Sequence, residues 1–445
     1  MSSFDSLKRL LTADLEDRMR QGYAVEPILK KLEMETDSFD TMLSLARKGE
    51  KAPLRADWPW VEPDTWEEIE ACCDPARDKG TMAQLNDQEV EKRVRCAFTA
   101  SVCGCVLGKP LEEPPYGTLN DIREAAQAVG QWPLRDYVSD EMLTAWGRRN
   151  PSWVETTRGR IRFVAPDDDI TYSIMGMMLL EKSGTHFTHD EMRQMWIEHL
   201  PIYTCWGPER TMLLRAGFAS LTPDMPENPS AWADGINPGR ELCGAMIRAD
   251  AYGYACPAWP ELAAHLAWKD ASFTHRKTGV YSAMFIAAAI AIAFVAKDWK
   301  EIVEGALRYI PQQSRFYAQA AECLRLVDSS ASFEEGYAAV HERFGMYTAG
   351  QIVQEIGTII NTLKYARNPE QGIAMQVAQG NDTDSFACSC GSILGAFFGT
   401  RLPAHWTEPF QDKLCTTMGC FNETSLSAVT ERMAQLYRRV RGESI

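Results

Sequence analysis

Asn381-Asp382-Thr383-Asp384-Ser385 leads directly into Phe386-Ala387-Cys388-Ser389-Cys390-Gly391-Ser392-Ile393-Leu394-Gly395-Ala396-Phe397-Phe398-Gly399, and this stretch decides the fold. From Phe386 to Gly399 there is no charged side chain, so the segment has no face to turn to water and reads as a helix buried on all sides. Gly391, Gly395 and Gly399 recur every four residues, which strips one helix face of side chains and lets another backbone approach closely. Two carboxylates and two hydroxyls stand at the entrance to this helix.

The same pattern recurs earlier. Asp167-Asp168-Asp169 opens a second apolar run, with Ile174 to Leu180 uncharged, and Ala283 to Ala296 is apolar all round. From Glu91 onward, long apolar helical stretches alternate with short Gly- and Pro-containing turns, and almost no segment shows the period-two alternation of a half-buried strand. The expected fold is therefore all-α: one compact multi-helix domain over residues 86–445, preceded by a helical extension and linker over 1–85. In the extension, Phe4 to Met19 and Phe39 to Arg47 carry apolar residues at three- and four-residue spacing, the second stopping at Gly49. Pro53, Pro59 and Pro63, interleaved with Trp58, Trp60 and Trp66, predict an extended strap that packs its indoles on the main body. No internal repeat or low-complexity tract interrupts the chain.

Composition narrows the class. With 445 residues, 45% hydrophobic and 24% charged, the chain has enough apolar surface to build a core without disulfides or a structural metal. A net charge of −15, with no dense basic stretch, argues against a general nucleic-acid-binding surface. Met1-Ser2-Ser3-Phe4-Asp5 lacks the basic start and apolar core of a signal peptide, and Ala283 to Ala296 is short for a bilayer, so no membrane partner is expected. The 13 cysteines are odd in number and scattered, and Cys103/Cys105 and Cys388/Cys390 lack metal or redox spacing. They read as packing thiols in a reducing cytoplasm.

Carboxylates leading into apolar helices are costly to desolvate unless a cation compensates them. If Asp167-Asp168-Asp169 meets Asp382 and Asp384, their mutual repulsion is resolved by divalent ions, and oxygen-only donors suit magnesium or manganese rather than zinc. Neither cluster fits a calcium-binding EF-hand loop. His186 and His189 are the one close histidine pair, but Thr188 and Glu191 form a capping box around them, which predicts a helix start.

The order of motifs resembles the ADP-ribosylglycohydrolase family: Gly104, Gly108, Pro110 and Glu112; an Asp-Asp pair opening an apolar helix; Arg248-Ala249-Asp250; Asp270 to His275; and the Asp382-Thr383-Asp384-Ser385 motif with its glycine-rich helix. The resemblance spans about Glu91 to Gly399. It implies an all-helical hydrolase holding two magnesium ions, with manganese an alternative, in a binuclear site formed by Asp168, Asp169, Asp382, Asp384 and Ser385. Asp167 stands where many members have a metal-touching threonine, and its carboxylate keeps it in the expected ligand set. Ile170 replaces a second common threonine, and Ser385 keeps the hydroxyl of a third.

The resemblance implies that the bond at the anomeric carbon of an ADP-ribosylated protein, nucleobase or small molecule is cleaved, releasing ADP-ribose. A metal clamp fixes the sugar and sharpens a water while charge builds on the ring. Glu112, as acid/base or water-positioning group, together with Asp168 and Asp382, is expected to act in the reaction. Gly235, Asn237 and Gly239 fall where relatives have a loop cradling the diphosphate, and backbone N–H groups at a helix start suit that role. His275 is the further substrate candidate, or else a helix cap, while Arg248 reads as a buried ion-pair partner. Two other readings stay open: hydrolysis of a different N- or O-riboside or nucleoside-type metabolite at the same metal site, and a catalytically silent binding protein on this fold.

Overall fold

A computed structural model describes residues 3–35, 38–112, 114–145, 151–221 and 228–443. Among these residues there is no β-strand, and three isolated bridges are the extent of β pairing. At the centre lies helix Thr278–Ala293, buried along its whole length. It begins five residues before the apolar run read from sequence, because Lys277 turns the chain with φ 51° and Thr278, Tyr281 and Ser282 are buried too. Around it pack helices Pro260–Ala271, Asp250–Ala255, Trp299–Leu307 and Thr383–Phe398.

Helix Asp87–Gly108 and helix Thr383–Phe398 form an antiparallel pair in near backbone contact. A Cβ added at Gly104 would lie 2.5 Å from the Ala387 carbonyl oxygen, and one at Gly391 would lie 2.6 Å from that of Ala100. Gly395 faces Cys96 and Ala97 in the same way. Gly399 does something different from what its spacing predicts: at φ 59° it is the left-handed cap that ends the helix, and its α-hydrogen side faces the Arg93 side chain. Helix Asp87–Gly108 with its following turn is apolar enough to cross a bilayer by composition, but it is buried against this partner.

The extension folds as three helices, Ser3–Arg20, Glu26–Glu35 and Phe39–Glu50, around a small core of Leu11, Leu15, Val25, Leu32, Met42, Leu45 and Ala46. Gly49 does not stop the third helix. It lies within it, where a Cβ would sit 2.6 Å from Leu15 Cδ2, so the glycine serves close packing. In the strap that follows, Trp66 opens a short helix, Trp66–Cys72, and stacks on His265 at 4.4 Å. Trp58 lies under Gly22 with the Arg315 guanidinium 5.3 Å from its ring. Glu62 pairs with Arg315 at 2.9 Å and Asp64 with Lys277 at 2.7 Å. The capping box read at Thr188 and Glu191 is present and starts helix His189–His199.

Candidate metal centre

Because the two tightly packed helices run antiparallel, the C-terminal end of one meets the N-terminal end of the other. Thr383 Oγ1 donates to the Gly108 carbonyl at 2.8 Å, and a Cβ on Gly108 would lie 2.5 Å from the Asp384 nitrogen. The turn Lys109–Leu111 and Glu112 are thereby set beside Asp382 and Asp384. Helix Asp168–Ser183 brings in the other cluster: Asp167 is its N-cap and accepts from the Asp169 N–H at 3.0 Å.

Two groups of donors result. Ligand atoms of Glu112, Asp382 and Asp384 lie within 4.8 Å of one another, and so do those of Cys105, Asp167 and Asp169. Ser385 links them, its hydroxyl 3.4 Å from Asp169 Oδ2. Lys109 links them too: its ammonium contacts Asp167 Oδ2 and is 3.7 Å from Asp384 Oδ2. Asp168 is partly open to solvent, while Asp167, Asp169, Asp382 and Asp384 are buried.

The electrostatics are those of crowded carboxylates. The Asp384 charge, helped by burial, pushes Glu112 up to about 9. Burial pushes Asp168 up to about 6, and burial followed by the Asp384 charge drives Asp169 and Asp382 well above the carboxylate range. Burial opposes the charge on Lys109, yet Asp384 and its neighbours outweigh it and hold the ammonium above the ordinary lysine range. Such carboxylates either keep protons or share a cation. Asp169 Oδ1 is buried without a hydrogen-bond partner, an acceptor left over by the protein's own donors. The residues therefore fit a divalent metal, with oxygen donors that suit a hard ion.

Sequence reasoning passed over four groups at this centre. Lys109 directly follows Gly108, between the motif residues Gly104, Gly108, Pro110 and Glu112 that carry the resemblance. Glu355, in helix Ile352–Tyr365, accepts from the Gly350 N–H at 3.1 Å, and burial followed by the Asp382 charge raises its pKa; its signal was a lone carboxylate in an apolar run. Cys243 donates its thiol to Asp382 Oδ2 at 3.4 Å, and Cys105 lies in the Asp167–Asp169 group. Nothing in the spacing of the thiols marked either one.

The expected substrate residues lie apart from the carboxylates. The Asn237 N–H donates to Asp14 Oδ1 at 2.8 Å and the Gly239 N–H to Asp17 Oδ2 at 2.6 Å, while Arg240 also pairs with Asp14. The first helix of the extension thus occupies the donors of this loop, and Gly235 is closed off by the Arg215 guanidinium. Gly239 does border a cavity of about 240 Å³ lined also by Asp17, Leu242, Tyr347 and Gln351. Its lining residues Leu242 and Gln351 each adjoin a member of the Cys243–Gly350 main-chain hydrogen bond (3.0 Å), and the Cys243 thiol in turn donates to Asp382. His275 is fully buried: its Nδ1 meets Thr274 Oγ1 at 2.7 Å, its Nε2 has no partner, and burial drives its pKa well down. It belongs with Arg248, Glu209 and Asp270, whose ion pairs include Arg248–Asp270 at 2.6 Å. That network lies under Gly244, where a Cβ would reach Glu209 Oε1 at 2.7 Å.

No curated protein matches the sequence. A solved structure described as an ADP-ribosylglycohydrolase-related protein complex aligns with 79% of this chain and 99% of its own, at 17% identity and a TM-score of 0.48. The sequence pattern that defines the ADP-ribosylglycohydrolases matches residues 86–443, a span that holds both carboxylate groups and the helix pair that joins them. The chain is a glycosidic hydrolase and belongs to the ADP-ribosylglycohydrolase family.

Proposed function

We propose that this protein hydrolyses the bond between the anomeric carbon of ADP-ribose and an acceptor, releasing ADP-ribose. The observation that carries this reading is the meeting of Glu112, Asp382 and Asp384 with Asp167 and Asp169 at one end of the helix pair. Asp168, Asp169, Asp382, Asp384 and Ser385 would hold magnesium or manganese, with Asp167 in the same group. When bound, the metal supplies Lewis-acid polarisation at the ribose hydroxyls and at a water. Glu112, with a ligand atom within 4.8 Å of both Asp382 and Asp384, is set to hold or move a proton at its Oε atoms as the leaving group departs. Lys109 and the Cys243 thiol orient Asp384 and Asp382 through direct contacts. The buried free thiols suit a reducing cytoplasm.

A second reading, a smaller riboside substrate, is favoured by one observation. Asp14 and Asp17 already take the N–H groups of Asn237 and Gly239, so these donors serve a substrate diphosphate only if the extension shifts. One experiment separates the readings. The protein and its Asp382→Asn variant are incubated with ADP-ribosyl-arginine, ADP-ribosyl-serine, ADP-ribosylated nucleic acid and simple nucleosides, with and without chelator. The expected result is release of ADP-ribose, abolished by chelator and by the substitution. Turnover of nucleosides alone selects the second reading, and full activity of the variant refutes the site.

A further inference from the structure

The carboxylate centre already contains a cation of the protein's own. Lys109 is buried, and it is fixed by its neighbours: it follows the last residue of helix Asp87–Gly108, and Pro110 restricts the backbone after it. Its ammonium contacts Asp167 of one donor group and lies 3.7 Å from Asp384 of the other, so it stands between the two groups where a bridging charge is needed.

The hydrogen bonds show which oxygens remain. Asp167 uses both of its oxygens within the protein, Oδ1 for the Asp169 N–H and Oδ2 for Lys109. Asp169, in the same group, keeps Oδ1 unpartnered; on the other side of Lys109, Asp384 Oδ1 accepts from the Ser385 N–H at 3.0 Å and Asp382 Oδ2 from the Cys243 thiol at 3.4 Å, beside Glu112. A divalent ion placed on the Asp167 side would share a carboxylate that the ammonium touches directly, where Asp384 stands 3.7 Å away, and would be repelled by it twice as strongly as a unit charge at the same distance. An ion held by Asp382 and Asp384, beside Glu112, lies on the side that the ammonium approaches only to 3.7 Å.

We propose that the Lys109 ammonium is the resident counter-ion of the Asp167 side, so that this chain binds one divalent ion, on the Glu112–Asp382–Asp384 side, rather than a pair. The inference rests on the reading of the carboxylate centre as metal-binding and is independent of which substrate is cleaved. It also reassigns Asp167 from ligand to anchor for Lys109.

The test counts ions in the full-length protein. Manganese is titrated into the wild type, Lys109→Met and Lys109→Arg. Free manganese is followed by its electron paramagnetic resonance signal, and bound metal is measured after gel filtration. The expected stoichiometry is one per chain for the wild type and for Lys109→Arg, which keeps the charge, and two per chain for Lys109→Met, with the spectrum of a coupled manganese pair. Two ions in the wild type overturn the proposal and leave the metal centre standing. One ion in Lys109→Met also overturns it, since the lysine then displaces nothing. No ion in any of the three proteins overturns the metal centre and the proposal together. If Lys109→Met does not fold, the wild-type and Lys109→Arg counts still decide between one ion and two.

Discussion

Gly108→Ala tests whether helix packing sets the chemistry. Its new Cβ would stand 2.5 Å from the Asp384 nitrogen and against the Thr383 carbonyl, all main-chain atoms. Ordinary contact needs roughly 3.5 Å, so the entrance of helix Thr383–Phe398 must retreat by about 1 Å. Overpacking of this kind costs about 1–3 kcal/mol, and the better helix propensity of alanine returns about 1 kcal/mol, leaving a net loss of about 0–2 kcal/mol. The retreat carries Asp382 and Asp384 away from Glu112 and Asp169, and a misplacement of about 1 Å at reacting groups costs roughly 100-fold in rate. Gly391→Ala is the matched control. It meets the Ala100 carbonyl at 2.6 Å on the same helix pair, but stands eight residues, about 12 Å, along the helix from Thr383. Both variants are compared by thermal unfolding, manganese affinity and ADP-ribose release. The expected outcome is a similar loss of stability in both, with activity and metal affinity lost mainly in Gly108→Ala. Equal activity in the two variants would refute the claim that this contact positions the carboxylates.

Other consequences follow from buried charge. Glu112→Gln should lower turnover by about 100- to 10,000-fold while leaving the melting temperature unchanged or raised, because it removes a carboxylate repelled by Asp384; wild-type turnover would exclude Glu112 from the reaction. Asp14→Ala leaves Arg240 buried without its carboxylate and should destabilise the protein by about 3–5 kcal/mol in urea unfolding; a loss under 1 kcal/mol would mean that the docking of the extension does not depend on this pair. Asp250, pushed up to about 7 by burial, keeps a proton in the native state that the unfolded chain, with a pKa of about 3.9, has already released. Its contribution to stability is therefore present below pH ~4 and lost as pH rises towards ~7, by at most about 4 kcal/mol. Asp250→Asn, which can still accept from Ser392, should gain on the wild type between pH 5 and 8, and a flat difference between the two would refute the shift.

The sequence by itself determined the helical architecture, because uncharged runs such as Phe386 to Phe398 are longer than an ordinary strand, and a helix satisfies their backbone away from water within the segment itself. It also marked both carboxylate clusters, since charge at the mouth of an apolar helix demands an explanation along the chain. Gly391 and Gly395 announced a close partner without saying which one. Their neighbour at Gly399 was a cap, and Gly49 was packed rather than terminal, because glycine spacing does not distinguish a bare face from a left-handed turn.

Only the tertiary structure decided what stands among the carboxylates. Cys105 and Lys109 come from the end of one helix and Cys243 and Glu355 from two distant segments, and they meet because the antiparallel helix pair and the Gly350 turn place them there. The loop Gly235 to Arg240 carries the turn signals of a ligand cradle, but its donors are taken by Asp14 and Asp17, more than 200 residues away in the chain. A sequence shows which groups need a partner. Which partner each receives is set by packing, since a buried hydrogen-bonding or charged group takes whatever complementary group the fold brings within reach.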